Sequence, residues 1–559
     1  MNTKSLFAAA SAAAALAVFP AAASAATVTV SGTNITVTGD ATDETITIAD
    51  AGGFITVDGA PTTAAANDTF DLTVNAGAGA DTINVNTALL RTVTVNGEAG
   101  NDTINGSPDN DILSGGNDLD TLNGAGGNDR ISGNDANDTM NGDAGNDVMV
   151  WNPGDDDDIM NGGAGGGDDA ELNGGNNPEN FAATPVGNRV RFERLSPAPF
   201  KLDVGPDTER LVLNANGGDD TMTSDPATPT AMLLNGGTGL DTMSGGANAD
   251  FINGGDDNDD LNGGPNADRV VGDRGDDDMV GADGDDTLVW NNGDGSDVMD
   301  GRLGLDKIEV NGAAGAGDAF EVRRNGQRDQ FDRTNLGPFT LDIGTAELLD
   351  VRGQGGDDTF LARANNTLAV QADGGAGDDT ITGAGEADTF FGGADDDTIE
   401  GGRGPDLLDG QEGGDKLLAR DGAGDLVRGG FGFDTAKVDK VDIVDGVEDI
   451  DRARKPHGYA HLYKHKAKVH GRYAKVWLKG SAGGSEGTLW LYTAKRYKVG
   501  DEYTRLALGK VKYDLDSRET DKYAVRLPKW AKYIANDHRL KAWTGTGDQY
   551  EKATLKYKR

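Results

Sequence analysis

The 559-residue chain contains no cysteine and, after its first 25 residues, no apolar run long enough to cross a bilayer. Without cysteine there can be no disulfide, no thiol nucleophile and no thiolate metal site. A spanning helix needs about 20 apolar residues, so we expect no integral membrane segment in the mature chain. A chain with 85 glycines and no cross-link needs another means of stabilising its fold.

Histidine and tyrosine are absent from residues 1–450. Proton transfer or nucleophilic attack in that region could use only carboxylates, Lys, Arg, Ser and Thr. The chain has no HExxH zinc motif, no GxxxxGK[ST] phosphate loop, no EF-hand loop and no GxSxG on a strand-to-helix elbow. We therefore predict that the protein is not an enzyme. A polysaccharide-modifying enzyme on a β-helix is the alternative, because glycosidases need only two carboxylates.

Charge divides the chain sharply. The formal net charge is -44, yet residues 451–559 have 26 Lys plus Arg against 11 Asp plus Glu, which leaves 24 against 83 for residues 1–450. All eleven tyrosines and all five histidines also lie beyond residue 450. This predicts an acidic domain over residues 26–450 and a basic domain over residues 451–559.

Residues 1–25 have the features of a secretory signal peptide. Lys4 precedes an apolar run from Leu6 to Phe19, and Ala-Ser-Ala at residues 23–25 fits the cleavage pattern of small residues. We expect export and an extracellular or cell-surface location.

A nine-residue period is the strongest pattern in the chain. Residues 115–150, GGNDLDTLN GAGGNDRIS GNDANDTMN GDAGNDVMV, form four blocks with Asp at the sixth place and an apolar residue at the eighth. The period occurs in three regions, about 97–161, 236–301 and 374–434. The candidate metal ligands at the sixth place are Asp102, Asp111, Asp120, Asp129, Asp138, Asp147, Asp241, Asp250, Asp259, Asp268, Asp277, Asp286, Asp379, Asp388, Asp397, Asp406 and Asp415.

Nine residues match neither the helical period of 3.6 nor the strand period of two. A six-residue turn followed by a three-residue strand satisfies the pattern, and two such units make one coil of eighteen residues. Gly and Asn accept the positive φ angles that the turn needs. Stacked coils bury one apolar column per strand at a spacing of about 4.8 Å. The sequence therefore predicts an all-β fold, a parallel β-roll or β-solenoid.

The blocks resemble the nonapeptide GGxGxDxUx of RTX, or hemolysin-type, calcium-binding proteins, in a context similar to secreted actinobacterial β-strand-repeat proteins. The resemblance implies that each aspartate and the backbone carbonyls of its turn bind several Ca²⁺ ions between successive coils. Calcium takes six to eight oxygen ligands at roughly 2.3 to 2.6 Å, and these turns offer only oxygens. The two implied rows begin with Asp102, Asp120 and Asp138, and with Asp111, Asp129 and Asp147.

Some turns depart from the repeat. Pro108 interrupts one turn, and Asn134 and Asp135 replace glycines in another, so we expect altered turn dihedrals at both. Asp102 is expected to end its row and to have one neighbouring coil. The alternative for all the aspartates is that they only solubilise turns. Against it, carboxylates stacked about 5 Å apart repel each other unless a cation lies between them.

A longer repeat of about 139 residues is superimposed on the short one. VWNPGDDDDIMNGG from Val150 reappears as VWNNGDGSDVMDGR from Val289. We expect Trp151 and Trp290 to fill the solenoid interior, and sugar stacking is the alternative. Threonine-rich strands near residues 26–75 continue the solenoid, although a binding surface for ice or mineral is a second interpretation of such threonines. Asp425 and Asp434 keep one last nine-residue step before a terminal cap.

Short alternating runs beyond residue 451 predict an antiparallel β-sandwich. Its basic surface favours an anionic cell-wall polymer or glycan as partner, and we expect no nucleic-acid binding because the corresponding motifs are absent. His457, His461 and His465 would align on a helix and could bind zinc, but neighbouring lysines favour a basic linker. The combined prediction is a secreted calcium-binding repeat protein with a structural or adhesive role.

Overall fold

The computed structural model describes residues 26–31, 34–51, 53–65, 71–86 and 93–452, and then the backbone of strands between residues 461 and 557. The predicted signal peptide, residues 1–25, lies outside the described residues. The chain divides into two compact units, one with Met1–Leu288 and Asp300–Gly304, the other with Val289–Met299 and Leu305–Arg559. The boundary predicted near residue 451 stays a prediction.

The first unit is a parallel β-solenoid whose strands alternate between two faces. The strands of its first face are Thr27–Ser31, Asn34–Thr38, Asp71–Ala78, Val93–Ala99, Asp111–Asn117, Arg130–Asn134, Val148–Trp151, Asp169–Asn173, Arg210–Asn214, Ala231–Thr238, Phe251–Asp256 and Arg269–Arg274. The strands of its second face are Thr45–Ala51, Phe54–Val57, Ala60–Ala65, Thr82–Val85, Thr103–Asn105, Thr121–Asn123, Thr139–Asp143, Asp158–Gly163, Asn180–Val186, Arg189–Ser196, Phe200–Val204, Thr221–Ser224, Thr242–Ser244, Asp260–Pro265 and Asp278–Asp283. Two further strands, Thr287–Asn291 and Val298–Leu303, have residues in both units.

The second unit repeats this architecture. The strands of its first face are Lys307–Asn311, Leu348–Arg352, Ala369–Ala376, Thr389–Ala394, Leu407–Glu412, Leu426–Phe431 and Ile443–Asp445. The strands of its second face are Ala319–Asn325, Arg328–Arg333, Phe339–Ile343, Thr359–Ala362, Thr380–Thr382, Thr398–Glu400, Lys416–Ala419, Thr435–Val438 and Asp449–Arg452. The region around Asp425 and Asp434, predicted to be a terminal cap, continues the same parallel stacking to residue 452.

Strand pairing confirms the eighteen-residue coil. Thr103 pairs with Thr121, which pairs with Thr139, always in parallel. On the other face, Ile112 pairs with Arg130 in the same sense. Because side chains alternate along a strand, this register places every eighth-place residue of the repeat on the inside.

The interior consists of columns of apolar side chains, one from each coil. Leu113, Ile131 and Met149 stack on the first face, and Leu122 and Met140 stack on the second. Each is at most 1 % exposed. Burial of a side chain of this size contributes about 1.5 to 3 kcal/mol, so the columns supply most of the apolar driving force for coil stacking.

Antiparallel strands enlarge three coils of the described solenoid. One contains Thr45–Ala51, Phe54–Val57 and Ala60–Ala65. The other two lie further along the chain, one in each unit. In the first unit Asn180–Val186, Arg189–Ser196 and Phe200–Val204 follow one another as neighbouring antiparallel strands. On the opposite face Asp169–Asn173 pairs directly with Arg210–Asn214, 41 residues further on. We call this the hairpin coil of the first unit. The hairpin coil of the second unit contains Ala319–Asn325, Arg328–Arg333 and Phe339–Ile343.

Trp151 and Trp290 fill the interior beside the hairpin coils, as predicted. Both are completely buried. The Trp151 ring stacks on Phe200 with ring centroids 3.7 Å apart, and the Trp290 ring stacks on Phe339 at 3.8 Å. Neither indole ring is open to a sugar.

Asparagine side chains form a hydrogen-bonded ladder along the second face of the first unit. The amide of each donates to the side-chain oxygen of the asparagine one coil earlier, at 2.8 to 2.9 Å. The ladder consists of Asn84, Asn105, Asn123, Asn141 and Asn161. Such ladders fix the register of coils whose short strands supply few backbone hydrogen bonds.

Beyond residue 452 the described backbone is also β-strand. The strands are His461–Leu462, Lys466–His470, Tyr473–Lys479, Ser485–Tyr492, Tyr497–Val499, Glu502–Thr504, Ala507–Leu515, Thr520–Arg526, Lys541–Gly545 and Tyr550–Tyr557. The pairings among the described strands are antiparallel, except that of Lys466–His470 with Tyr550–Tyr557, which is parallel. The prediction of short strands is confirmed, and the sandwich stays a prediction.

His461 belongs to a two-residue strand, so the helix that would align three imidazoles is wrong at this residue. His457 and His465 lie outside the described residues. In the part of the chain that the structure describes, no helix has the length and apolar character to cross a membrane.

Candidate metal centre

All seventeen aspartates predicted from the nine-residue period occupy the same place, directly before a strand at the end of a turn. Each is at most 4 % exposed. Carboxylates are almost never buried to this extent without a partner, because removal of a charge from water is costly. The partners of their oxygens therefore decide what these residues do.

In each row, one carboxylate oxygen of an aspartate accepts a hydrogen bond from the backbone N–H of the aspartate one coil earlier. The backbone N–H of Asp102 donates to Asp120 Oδ1 at 2.7 Å, and that of Asp120 donates to Asp138 Oδ1 at 2.7 Å. In the second row the N–H of Asp111 donates to Asp129 Oδ1 at 2.8 Å. The two predicted rows, which pair residues eighteen apart, are confirmed. We call them aspartate ladders.

The second oxygen is left without a protein partner. At the ladder positions that follow, Oδ2 is buried and accepts no hydrogen bond from the described residues. They are Asp81, Asp102, Asp120, Asp129, Asp138, Asp147, Asp158, Asp168, Asp220, Asp241, Asp259, Asp268, Asp358, Asp379, Asp397, Asp415, Asp425 and Asp434. A buried oxygen that lacks any donor costs about 1 to 3 kcal/mol or more if charged, so a repeated set of them indicates a missing positive ligand.

At most of these positions a glycine lies beside the orphaned oxygen and leaves room for that ligand; the exceptions are Asp81, Asp158, Asp220 and Asp425. A Cβ atom at Gly124 would lie 2.2 Å from Asp129 Oδ2 and 2.6 Å from the carbonyl oxygen of Gly142 in the next coil. At Gly374 the corresponding distances are 2.1 Å to Asp379 Oδ2 and 2.6 Å to the Gly392 carbonyl oxygen. A carboxylate oxygen and a carbonyl oxygen of successive coils thus converge where any other residue would place its side chain.

These donors fit calcium. Both are hard oxygens, and backbone carbonyls supply a large share of calcium ligands in proteins. Across the described ranges no three carboxylate or imidazole side chains converge on one point. The ladder aspartates would therefore hold calcium together with glycine carbonyls. The ion would supply the positive charge that the stacked carboxylates need.

Three of the predicted aspartates are arranged differently. Asp111 Oδ2 accepts the N–H of Ser107, Asp250 Oδ2 accepts the N–H of Gly246, and Asp388 Oδ2 accepts the N–H of Ala384. Each is the first aspartate of a ladder on its edge. Because the turns of Asp250 and Asp388 contain no proline, this arrangement belongs to the first ladder position, and the altered dihedrals expected at Pro108 stay a prediction.

The expectation of altered dihedrals at Asn134 is wrong. Asn134 has φ 69° and Gly116, one coil earlier, has φ 120°, so both lie in the left-handed region that the turn requires. Asn tolerates this region better than other residues with a side chain. Asp138, which closes the turn, keeps its unpartnered Oδ2 like its neighbours.

The nine-residue period missed several ladder members. Asp81 precedes Asp102 by 21 residues and donates its N–H to Asp102 Oδ1, so Asp102 does not end its row as predicted. Asp158 and Asp168 follow at steps of 20 and 21 residues. The others are Asp220 and Asp358. Asp425 and Asp434, which the nine-residue period did mark, also belong to the ladders. Steps of 18 to 21 residues between aspartates, in place of strict multiples of nine, would have identified the missed members.

Burial shifts the protonation of the ladders. Burial, with a smaller contribution from the neighbouring carboxylates, raises the pKa of Asp120 and of Asp129 to about 8. The same cause raises the pKa of Asp259 to about 8 and that of Asp102 to about 6. Without a cation, many ladder carboxyls are therefore protonated near neutral pH.

Comparison with known families agrees with this geometry. The family model of the RTX calcium-binding nonapeptide repeat (4 copies) matches residues 94–122, 114–149, 235–270, 253–288, 372–399 and 391–426. A search of curated proteins gave no match. The matched residues contain all seventeen predicted aspartates, so the chain carries multiple RTX calcium-binding nonapeptide repeats, in three separate blocks.

Proposed function

We propose that the protein is an exported, non-catalytic calcium-binding solenoid that folds where calcium is plentiful and attaches through its basic C-terminal part to an anionic polymer. The observation that carries the proposal is the set of buried Oδ2 atoms, most of which lie beside a glycine where a backbone carbonyl of the next coil converges. Export is supported by the signal-peptide pattern of residues 1–25. Extracellular calcium, at about 1 mM, suits sites of 10⁻⁴ to 10⁻³ M.

A non-catalytic role is supported by the chemistry of the ladders. Their carboxylates are buried, and one oxygen of each holds a backbone N–H of the coil before it. A group fixed in this way is suited to binding a cation and not to reaching a substrate. Rigid extended coils suit a structural or adhesive role, and the basic segment beyond residue 451 supplies the attachment.

The first test compares Asp120→Asn with Asp118→Asn. Asp118 lies in the same turn but is exposed. Asp120→Asn should remove at least one bound calcium, because it converts a buried anionic ligand into a neutral one. With a dissociation constant near 0.1 mM, each lost site lowers the free energy of unfolding at 1 mM calcium by about 1.4 kcal/mol. Isothermal titration calorimetry and urea unfolding measure the two effects. Equal calcium counts in the two variants would contradict the assignment.

The pH dependence gives a second test. Folded-state pKa values of about 8 at Asp120 and Asp129 exceed the ordinary value of 3.8. A raised carboxyl pKa stabilises the fold fully below pH 3.8, and this stability is lost as pH rises through 8. Metal-free protein should therefore become less stable from pH 5 to pH 8, and calcium binding should release protons.

Urea unfolding in chelator at pH 5 and pH 8 measures this loss of stability. The double variant Asp120→Asn with Asp129→Asn should lose less stability over the same interval, whereas Asp118→Asn should behave like the unmodified chain. Metal-free protein that gains stability between pH 5 and pH 8 would rule out the protonated ladder.

The attachment proposal is tested with full-length protein and sulfated dextran, with neutral dextran as the control polymer. Binding should weaken steeply as salt rises, because the Debye length falls from about 30 Å at 0.01 M to about 8 Å at 0.15 M. Replacing Lys464, Lys466 and Lys468 together by Gln should weaken binding, and Lys416→Gln in the solenoid should not. Binding that is independent of salt, or equal for both polymers, would remove this part of the proposal.

A further inference from the structure

Two ladder positions differ from all those assigned to calcium. Glu179 donates its N–H to Asp220 Oδ1 at 2.7 Å, and Asp318 donates its N–H to Asp358 Oδ1 at 2.6 Å. Each therefore stands in a row of the aspartate ladder. Both lie at the start of a hairpin coil, one in each unit, and outside the residues matched by the repeat family.

At these positions both carboxylate oxygens have protein partners. Glu179 Oε1 accepts from Arg194 Nη1 at 2.6 Å, and Glu179 Oε2 accepts from the N–H of Gly175 at 2.6 Å. In the second unit Arg333 Nη1 lies 3.4 Å from Asp318 Oδ1, and the N–H of Ala313 donates to Asp318 Oδ2 at 2.7 Å. Neither acid keeps the orphaned oxygen that marks the calcium turns.

The arginines are themselves buried and held from several directions. The side chain of Arg194 is 9 % exposed and that of Arg333 is 4 % exposed. Arg194 donates from Nε and Nη2 to the carbonyl oxygen of Ala198, and Arg333 does the same to that of Gly337. Each guanidinium thus contacts one carboxylate and one backbone carbonyl, the two kinds of oxygen that converge in the calcium turns, and Arg333 also donates to Asn292 Oδ1 at 2.6 Å.

Aromatic rings complete each arginine site. The guanidinium carbon of Arg194 lies 5.1 Å from the ring centroids of both Trp151 and Phe200. Arg333 lies 5.1 Å from Trp290 and 5.2 Å from Phe339. A cation near an aromatic face is stabilised by the ring quadrupole, most strongly when it is shielded from water. In each unit the stacked Trp and Phe rings therefore pack against the guanidinium group and stabilise its positive charge.

The glycine space is present here too. A Cβ at Gly174 would lie 2.6 Å from Glu179 Oε2 and 2.7 Å from the Ala215 carbonyl oxygen. At Gly312 the distances are 2.6 Å to Asp318 Oδ2 and 2.9 Å to the Gly353 carbonyl oxygen. The glycine space is kept, but its carboxylate oxygen accepts a backbone N–H, and the arginine balances the charge from the other oxygen of the same carboxylate.

We infer that Arg194 and Arg333 supply at these two ladder positions the positive charge that calcium supplies in the repeat blocks, so that each hairpin coil keeps its fold when the metal is withdrawn. A covalently attached cation cannot dissociate, whereas a calcium ion leaves when its concentration falls. The inference rests on the proposed calcium-dependent folding of the repeat blocks, with which it contrasts. The hairpin coils would then be permanent templates on which neighbouring coils form when calcium is added, since each coil of a solenoid contacts only its neighbours.

The test is hydrogen exchange measured by mass spectrometry on the full chain, with 5 mM calcium or with chelator. Peptides from residues 180–204 and 319–343 report on the hairpin coils, and peptides from residues 97–149 and 374–415 report on the repeat blocks. With chelator we expect the blocks to exchange at least tenfold faster, while the hairpin coils change less than threefold.

Different outcomes separate the two proposals. If hairpin and block peptides lose protection equally in chelator, the inference is wrong while calcium-dependent folding stands. If neither set changes, the blocks fold without calcium, which overturns the proposed function and the contrast together.

Arg194→Met and Arg191→Met form a matched pair of variants. Arg191 lies on the same strand but its side chain is exposed. In chelator Arg194→Met should speed exchange of residues 180–204 at least tenfold, because Glu179 is left buried without its cation, and Arg191→Met should leave it unchanged. Residues 319–343 of the same molecules serve as an internal reference.

Arg333→Met should give the reverse pattern. Full protection of residues 180–204 in Arg194→Met with chelator would overturn the role given to the arginine. If a variant does not fold, the comparison of hairpin and block peptides in the unmodified chain, with calcium and with chelator, decides the question.

Discussion

The fold depends on how buried carboxylates are neutralised. Each coil inserts an aspartate into a turn, and one oxygen fixes the N–H of the coil before it, for example Asp120 Oδ1 with the N–H of Asp102. The other oxygen of Asp120 lies where Gly115 and the Gly133 carbonyl of the next coil converge, and it accepts no hydrogen bond from the described residues. Stacking therefore adds unbalanced negative charge with every coil, and only a cation or a proton can relieve it.

The source of that cation differs along the chain. In the repeat blocks the space left by Gly124 or Gly374 suits an ion from solution. In the hairpin coils the chain supplies its own cation through Arg194 and Arg333. Trp, Phe and Arg recur together 139 residues apart, which indicates that the whole arrangement was duplicated as one unit. The buried carboxylates are then neutralised permanently by arginine in the hairpin coils, and by calcium, according to its concentration, in the repeat blocks.

Much of this could be read from the sequence, because the nine-residue period records a local rule. The turn needs positive φ at fixed places and an acid at its end, so Asp102 to Asp147 follow from spacing. Their pairing at eighteen residues is what the resemblance to RTX repeats implied. The burial of Trp151 followed from its place at a break in the period.

Other features could not be read in this way. Asp168 and Asp220 were missed because coils of 21 and 41 residues shift the phase of the period. The pairing of Arg194 with Glu179 depends on a hairpin that brings residues fifteen positions apart together, and nothing in the period marks it. The hydrogen bond that the Ser107 N–H donates to Asp111 Oδ2 also could not be predicted, because it occurs only in the first turn of a ladder.

The central claim is that each orphaned Oδ2 faces a calcium ion. Its most direct test is a crystal of the protein grown with calcium, with anomalous difference maps collected at a long X-ray wavelength. The account predicts peaks beside Asp120 Oδ2 and Asp129 Oδ2, repeated along the ladders, and none beside Glu179 or Asp318. Ladders without anomalous peaks in calcium-saturated crystals, or peaks equally strong beside Glu179 and Asp318, would contradict it.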